Sequence, residues 1–360
     1  MRGEIIKLKV YIDLKRIRSN IMRLRENAQG AKFMLMVKAD AYGHGLKEVA
    51  AATEDVVDAF GVATVDEGAE LRDAEIKKPI LTLTCAPSEM KYAMDNKLTV
   101  SLSDLSQLAA LEELVEAGAV RPDRVLLHIA LDSGMHRFGF SPRRIDGVIA
   151  RLNAIGVKAR GIYSHLRARS IAQIECFEKV CKKVRAAYPN AIRHLASSHY
   201  MDSKRLRYDM VRAGISAYEG AMTVESEVLL SRRVKAGEFV SYGDFKVEND
   251  ANTAVVFGGY ADGAARENPS PIYIRGRACE VLGRVCMDCC VVDCGDFLPA
   301  VGEKAVLLDA AKAEEIAKAR KSVGYTLMTC WHGRIERIYD DDKGGSEAVG
   351  EVRDSADERG

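Results

Sequence analysis

The feature that most constrains the fold is an alternation of short apolar runs with helix-like segments, repeated about eight times between residues 32 and 218. Helix-like segments such as LSQLAALEELVEAG (105–118) end in glycine, which commonly stops a helix. Alternation of this length is typical of a (β/α)8 barrel of the TIM type. A doubly wound open sheet is the alternative, but no G-x-G-x-x-G loop follows the first run. The apolar runs are FMLMV, AFGVAT, PILTLT, LTVSL, RVLLHIAL, ARGIYSH, IRHLAS and MVRAGISAY.

The alternation of strand-like and helix-like segments ends at about residue 219. Short apolar runs such as NTAVVFGGYADG and GEKAVLLD are separated by glycine and aspartate, which predicts strands joined by turns. We therefore predict an α/β protein with a barrel over 14–222 and a β-rich C-terminal domain over 223–340. One helical stretch, AAKAEEIAKARKSVG, interrupts that domain. The polar residues 341–360 are expected to form a disordered tail.

Composition excludes several classes of partner. A net charge of +1 gives no field that would attract nucleic acid or an anionic membrane. No apolar run approaches the ~20 residues of a membrane-spanning helix, and the charged N-terminus does not resemble a signal peptide. Nine cysteines without a secretion signal indicate a cytoplasmic protein with free thiols. Cys286, Cys289, Cys290 and Cys294 allow a metal site, but their strand-like neighbours favour a packed core, so no metal is expected.

Polar residues follow the ends of several predicted strands, where the chemistry of a barrel takes place. Lys38 is the most informative, because a lysine directly after a run as apolar as FMLMV is expected to be paired or reactive. The other residues at strand ends are Asp40, Tyr42, His44, Asp132, Met135, Arg137, His165, His194, Ser197, Ser198, Arg212, Gly214 and Ile215.

Six motifs occur in the order VKADAYGHG, DSGMHRFG, VRAGI, VSYG, GYADG and GRVCMD. Together they resemble alanine racemases, which are pyridoxal-phosphate enzymes of fold type III. The resemblance runs from VYIDL to RIERIY, nearly the whole chain. It implies a barrel, a C-terminal β domain that the N-terminal strand (1–13) joins, and a head-to-tail homodimer whose active sites use both chains. The implied activity is interconversion of L- and D-alanine.

The resemblance also assigns the residues that contact the cofactor. Lys38 matches the lysine that binds pyridoxal phosphate covalently. Arg212 matches the residue facing the pyridine nitrogen, and since arginine accepts no proton, that nitrogen is expected to stay unprotonated. His165 matches a residue that extends this polar chain towards the second base. The expected contacts of the phosphate are Tyr42, Ser198, Tyr339 and the backbone N–H groups of Gly214 and Ile215.

Racemisation needs bases on both faces of the substrate Cα. The resemblance implies that Lys38 is one base and that Tyr242, from the partner chain, is the other. The substrate carboxylate is expected to meet Arg137 and the backbone N–H of Met287, the latter also from the partner. Residues matching the access channel are Tyr260, Arg266 and Arg284.

Two positions depart from the family pattern and leave the substrate open. Many relatives carry a carbamylated lysine where this chain has Ala130. Arg137 is therefore expected either to be more mobile or to rely on a bound anion or on Asp132, and the alternative is that Ala130 merely packs while Arg137 points elsewhere. An acidic residue of the channel falls on Ser170. The alternatives are therefore a racemase for serine, lysine or many amino acids, and a barrel that binds pyridoxal phosphate without catalysis. A decarboxylase of the same fold type is a third, but its cysteine motif is not found.

Overall fold

The structure is a computed structural model that describes residue 6 and residues 8–309, 312–319 and 324–340. Within these ranges, none of the helices is both long and apolar enough to cross a membrane. The tail predicted over 341–360, and parts of the predicted helix at 310–324, lie outside the described residues.

Eight parallel strands form a closed barrel, which confirms the predicted fold class. Each strand pairs with the next, and the first strand, β2 (Lys32–Met36), pairs with the last, β9 (Met210–Ala213), to close the ring. Most strand residues are buried, because helices cover the outside while side chains fill the inside. The strands are β2 (Lys32–Met36), β3 (Ala59–Val62), β4 (Ile80–Thr82), β5 (Thr99–Leu102), β6 (Leu127–Ala130), β7 (Gly161–Tyr163), β8 (Ile192–His194) and β9 (Met210–Ala213).

Helices surround the barrel, and several begin at residues that satisfy the free N–H groups of the first turn. Asp13 accepts from the Arg16 N–H at 2.7 Å at the start of α1. Thr64 and Glu67 cap α4 reciprocally. The segment α2 (Lys38–Tyr42) is a single turn that is mostly left-handed. The other barrel helices are α1 (Leu14–Ala28), α3 (Leu46–Thr53), α4 (Val65–Asp73), α5 (Met90–Asp95), α6 (Leu105–Glu116), α7 (Ile145–Ala154) and α8 (Ile171–Ala187).

The C-terminal part is β-rich, as predicted. Its main sheet has the order β13-β12-β15-β10-β1-β16, while β11 joins β10 to β14. Strand β1 (Leu8–Ile12) lies between antiparallel β10 and parallel β16. The remaining elements are β10 (Met222–Val234), β11 (Ala251–Phe257), β12 (Ile272–Ile274), β13 (Arg277–Cys279), β14 (Cys289–Asp293), β15 (Lys304–Asp309), α9 (Ala313–Ala319), α10 (Gly324–Met328) and β16 (Ile335–Tyr339). The exact domain limits at 13/14 and 222/223 stay predictions.

Candidate active site

Two adjoining cavities open at the carboxyl ends of the barrel strands. The larger has a volume of about 450 Å³ and the smaller about 270 Å³. Both are lined by the same five residues, Lys38, Leu83, Arg137, His165 and Arg212. The smaller cavity is therefore a side chamber of the larger one. Tyr42, Ser198, Gly214 and Ile215 line the larger cavity, so most of the residues predicted from the strand ends meet in one place.

The segment after Lys38 has an unusual backbone. The four residues Ala39 to Tyr42 all have positive φ values, between 51° and 56°. This is a left-handed helical turn, which costs roughly 1–2 kcal/mol per residue for an L-amino acid. Two hydrogen bonds connect the turn to residues outside it. The Glu67 carboxylate accepts from the Ala39 N–H at 2.7 Å, and the Asp40 carboxylate accepts from the Leu46 N–H at 2.8 Å. The turn carries Tyr42 back over the cavity that Lys38 lines.

The glycines of the YGHG motif lie where the C-terminal strands pack against this turn. A Cβ on Gly43 would overlap the carbonyl oxygen of Met328, and a Cβ on Gly45 would overlap the hydroxyl of Tyr339. Both glycines also have positive φ, 86° and 94°. Arg337 of β16 forms an ion pair with Asp40 at 2.6 Å. The loop that positions Lys38 is thus fixed by residues far away in the sequence.

Tyr42, Ser198 and the start of the 215–217 turn form a small polar cradle. Ser198 Oγ accepts from the Gly214 N–H at 2.9 Å. A Cβ on Gly214 would lie 2.7 Å from the Tyr42 hydroxyl, so only glycine lets this phenol approach the backbone. The Tyr42 and Ser198 hydroxyls can both donate to an oxyanion placed here, as can the Ile215 N–H.

A buried guanidinium anchors the opposite wall of the cavity. Arg212 is 5% exposed and donates to Nδ1 of His194 at 2.9 Å and to the Ser164 carbonyl at 2.8 Å. Because guanidinium has no acceptor, His194 Nδ1 accepts, and its Nε2–H therefore donates to Nδ1 of His128 at 2.9 Å. Burial lowers the pKa of Arg212 to about 10, so it stays charged at neutral pH. Burial and the Arg212 charge lower the pKa of His128 to about 4.

The site is electropositive, and its titratable groups respond to that charge. Burial lowers the pKa of Lys38, and the Arg137 charge lowers it further, although Glu67 opposes the change. Burial, followed by the charges of Arg212 and Arg137, lowers the pKa of His165 to about 4. Both shifts favour neutral nitrogen atoms, which can accept protons. A lysine amine in this setting is a candidate nucleophile and base.

The predicted support of Arg137 by Asp132 is wrong. The Asp132 Oδ1 accepts from three consecutive N–H groups, those of residues 134 to 136, at 2.9–3.0 Å, and Oδ2 lies 3.1 Å from the His136 ring. The carboxylate is therefore used to close its own turn. Among the described residues, no carboxylate forms an ion pair with Arg137. Ala130, only 2% exposed, lines the side chamber together with Arg137.

The placement of Tyr339 also differs from the expectation. Its hydroxyl lies against Gly45 and bonds to the Glu48 carboxylate, and among the described residues it is absent from the lining of both cavities. The C-terminal tyrosine that does line the larger cavity is Tyr325, whose ring centroid lies 6.1 Å from that of Tyr42. Sequence reasoning missed Tyr325, because α10 carries no motif that points to the barrel. It also missed Arg167 and Tyr200, which line the same cavity.

The remaining predicted residues lie together in the β domain. Tyr242 and Met287 are 63% and 52% exposed and line neither barrel cavity. Tyr242 pairs with Arg284 across an isolated bridge. Tyr260 donates its N–H to the Cys286 carbonyl at 3.1 Å, next to Met287, and Arg266 lies over the Tyr260 ring. Ser170, the other departure noted in the sequence, caps the start of α8.

The cysteine cluster is divided between core and surface. Cys290 and Cys294 are both 2% exposed, whereas Cys286 and Cys289 are half-buried. In the described part of the chain, no three side chains of the metal-binding types come together. The core interpretation therefore fits two of the four cysteines and leaves the other two unexplained.

Comparison with protein-family models gives two matches that together cover residues 12–339. Residues 12–221 match the model of the alanine racemase N-terminal domain, and residues 221–339 match that of the alanine racemase C-terminal domain. The boundary between them falls at the start of β10. The second match argues against a barrel-only protein, which would lack this domain.

Curated relatives and solved structures give the same result. An alanine racemase from Salinispora tropica is 33% identical and covers 93% of this chain and 98% of its own length. One from Thermobifida fusca is 31% identical and covers 91% of this chain and 96% of its own length. The alanine racemase structure from Streptomyces lavendulae has a TM-score of 0.86 at 27% identity, covering 96% of this chain and 99% of its own. These matches confirm the resemblance drawn from the six motifs, and with it the enzyme class.

Proposed function

Because the chain belongs to the alanine racemase family, we propose that it is a pyridoxal-phosphate-dependent racemase that interconverts L- and D-alanine. The observation that carries the proposal is the placement of Lys38. It begins the turn that follows buried strand β2, lines a 450 Å³ cavity and has a lowered pKa. A reactive amine needs this combination of access and partial desolvation.

The residues that line the cavity fit pyridoxal phosphate. Its volume lies within the range of about 300–1,000 Å³ that is usual for cofactor sites. The cradle over Gly214 offers two hydroxyls and the Ile215 N–H to the phosphate, and a larger residue at 214 would fill it. Arg212 would face the pyridine nitrogen, and Lys38 would hold the cofactor covalently. Tyr325, rather than Tyr339, is the C-terminal tyrosine that we assign to this site.

The chemistry divides between the cofactor and the protein. Pyridoxal phosphate, when bound, withdraws electrons from the substrate Cα and makes its proton acidic. Lys38 then takes or returns that proton on one face of the Cα, and its lowered pKa increases the share of neutral amine that can do so. The hydroxyl of Tyr242, from a second copy of the chain, does the same on the other face. The charge of Arg212, the cation of the polar chain to which neutral His165 belongs, favours the ionised form of that second base.

The substrate carboxylate needs a cation, and Arg137 lines both chambers of the site. Among the described residues, none forms an ion pair or a hydrogen bond with its guanidinium, so its donors are available. The Met287 N–H, at the tip of an exposed turn, would complete the carboxylate contacts from the second copy. These contacts orient the amino acid so that its Cα–H bond faces a base.

We propose a head-to-tail homodimer, since Tyr242 and Met287 line neither cavity of their own chain's barrel. Around them the β domain exposes apolar side chains, including Phe239 at 65%. The barrel mouth exposes Phe138 at 54%, next to Arg137. Two copies related by a two-fold axis would bury both surfaces and bring each Tyr242 to the other's cavity.

Two measurements test the proposed activity. Borohydride reduction of the cofactor-loaded protein, followed by peptide mass spectrometry, should locate the cofactor on Lys38. A chiral assay with a panel of amino acids should show the highest kcat/KM for alanine, in both directions. Attachment to a different lysine, or loaded protein that racemises no amino acid, would contradict the proposal.

The side chamber favours a second candidate function, racemisation of larger amino acids. With Ala130 and Ala63 in its wall, about 270 Å³ adjoins Lys38 and Arg212, more space than a substrate methyl group occupies. A serine or lysine side chain could enter this chamber. A kcat/KM for such a substrate that equals or exceeds the value for alanine would favour this candidate.

We also propose a cytoplasmic location. The structure has nine free cysteines, and a reducing compartment keeps thiols in that state. Fractionation of producing cells, with racemase activity as the readout, tests the location. Activity confined to an extracytoplasmic fraction would contradict it.

A further inference from the structure

Two half-buried thiols flank the turn that presents Met287. The Cys286 N–H donates to the Cys289 carbonyl at 3.0 Å, so the two residues face each other with Met287 and Asp288 at the tip. Residues opposite each other in an antiparallel pair have Cα atoms about 4.5–5.5 Å apart, inside the range of about 4.4–6.8 Å that a disulfide spans. The two thiols already hydrogen-bond to each other. The turn is therefore arranged so that it can close a disulfide.

The exposure of these thiols distinguishes them from a second pair in the same domain. Cys279 and Cys294 also hydrogen-bond to each other, but they are only 1% and 2% exposed. Cys290 is 2% exposed and its thiol donates to the Gly258 carbonyl at 3.2 Å. In the single chain a small oxidant can reach Cys286 and Cys289, whereas packing shields the other three.

The thiol of Cys286 is also connected to the proposed second base. Its Sγ lies 3.4 Å from Ser241 Oγ, and Ser241 in turn donates to the Arg284 carbonyl at 2.6 Å. Arg284 pairs with Tyr242. Ser241 has a φ of 62°, which costs energy for a non-glycine residue, so its position depends on these contacts. Movement of the Cys286 side chain therefore disturbs the segment that holds Tyr242.

The backbone of the turn cannot absorb such a movement easily. The carbonyls of Cys286 and Met287 accept from the N–H groups of Tyr260 and Ala261, each at 3.1 Å. Gly259 packs so closely on the same carbonyls that a Cβ there would overlap them. With this side of the turn fixed, formation of an S–S bond must draw the Cys286 side chain away from Ser241.

We propose that Cys286 and Cys289 form a reversible disulfide that switches the racemase between an active and a less active state. The inference rests on the proposed roles of Tyr242 and Met287. The oxidant is a low-molecular-weight disulfide such as oxidised glutathione. The Cys286 thiolate attacks one sulfur and releases the first thiol, and Cys289 then attacks the mixed disulfide and releases the second. Two electrons pass to the oxidant, and an external dithiol reverses both steps.

The choice of Cys286 as the attacking group follows from its surroundings. Burial, and then the neighbouring Cys286, raise the pKa of Cys289 to about 11, so Cys289 is rarely ionised at neutral pH. Cys286 lies beside a serine hydroxyl and is the more suitable nucleophile. Cys289 is then the resolving thiol.

The test uses the cofactor-loaded protein in buffers of graded reduced-to-oxidised glutathione ratio. Thiol blocking and peptide mapping give the fraction of the 286–289 disulfide, and racemisation is measured on the same samples. We expect the disulfide to appear as activity falls by about 10- to 100-fold, the scale of a displaced catalytic group. A dithiol should restore activity.

Matched variants identify the thiols. Cys289→Ser should keep the activity of the reduced protein and lose the response to oxidised glutathione. Cys176→Ser, a half-buried thiol on α8, should respond like the wild type. The proposal is overturned if no 286–289 disulfide forms at any ratio, if Cys279 and Cys294 pair instead, or if the disulfide leaves activity unchanged. Peptide mapping does not depend on catalysis, so an inactive reduced protein would count against the proposed function alone.

Discussion

Replacement of Gly45 by alanine should destabilise the protein because it adds a methyl group where two parts of the chain meet. Gly45 has a φ of 94°, and its added Cβ would overlap the Tyr339 hydroxyl and lie 2.8 Å from a Glu48 carboxylate oxygen. The left-handed backbone alone costs an alanine roughly 1–2 kcal/mol. Forced repacking of a filled site adds about 1–3 kcal/mol. We therefore expect Gly45→Ala to lower the free energy of unfolding by about 2–5 kcal/mol.

Gly30 offers a matched control for the backbone effect. Its φ is 84°, close to that of Gly45, but an added Cβ meets no atom within 4 Å. Gly30→Ala should therefore cost only the backbone contribution, about 1–2 kcal/mol. The difference between the two variants measures the packing of the C-terminal strands on the YGHG turn.

The assay is thermal and urea unfolding of both variants and of Tyr339→Phe, alone and combined with Gly45→Ala. For a unit of barrel size, each kcal/mol shifts the Tm by about 2–4 °C. Because the overlap involves the Tyr339 hydroxyl, its removal should restore part of the loss, which appears as a coupling free energy in the double-mutant cycle. Absorbance of the bound cofactor should fall in Gly45→Ala and persist in Gly30→Ala, since Lys38 and Tyr42 belong to the same turn.

Equal destabilisation by Gly45→Ala and Gly30→Ala would refute this reasoning. It would mean that the contact with Tyr339 relaxes at no cost. The YGHG glycines would then be explained by backbone conformation alone, without a role for the C-terminal strands.

Three further predictions concern the dimer, pH and the side chamber. Mixing Lys38→Ala chains with Tyr242→Phe chains should restore about half of the wild-type activity per heterodimer, because one of its two sites is intact; confirmed heterodimers without activity would rule out shared sites. Burial holds the pKa of His44 at about 4, below its unfolded value of 6.5. Between these values the unfolded chain binds a proton that the folded protein does not, so the His44 contribution of about 3 kcal/mol to the free energy of unfolding is complete above pH 6.5 and is lost as the pH falls towards 4. His44→Asn should therefore lose less stability over this range in urea unfolding, and an unchanged slope would argue against the shift. Ala130→Lys with added bicarbonate should lower the KM for alanine about fivefold, the scale of one charge-assisted contact, and an unchanged KM would exclude a need of Arg137 for an anionic partner.

The barrel could be predicted because its information is local. Buried parallel strands are short apolar runs, and the helices between them end in glycine, so each unit can be identified from its own residues. Lys38 was equally visible, since a lysine after the run FMLMV has no structural explanation. The sequence order of strand ends also brought Arg137, His165 and Arg212 to one site, as the barrel geometry requires.

What could not be predicted depends on contacts between distant segments. Asp132 is near Arg137 in sequence, but its carboxylate is used by the N–H groups of its own turn. Tyr339 ends β16 on the far side of the Lys38 loop, while Tyr325 on the short helix α10 reaches the cavity. The four left-handed residues after Lys38 carry no glycine, so no sequence signal marks their conformation. They are held by tertiary contacts alone.

The position of β1 has a consequence for how the protein is made. This strand leaves the ribosome before the other described strands, yet its partners are β10 and β16, which begin at residues 222 and 335. At roughly 5–20 residues per second, it waits on the order of 10–40 s for β10 and longer for β16. During that time its apolar residues Leu8, Val10 and Ile12 have no sheet to join. A chain terminated before residue 335 keeps one edge of β1 open, so incomplete products are expected to aggregate or be degraded, and only full-length synthesis closes the sheet.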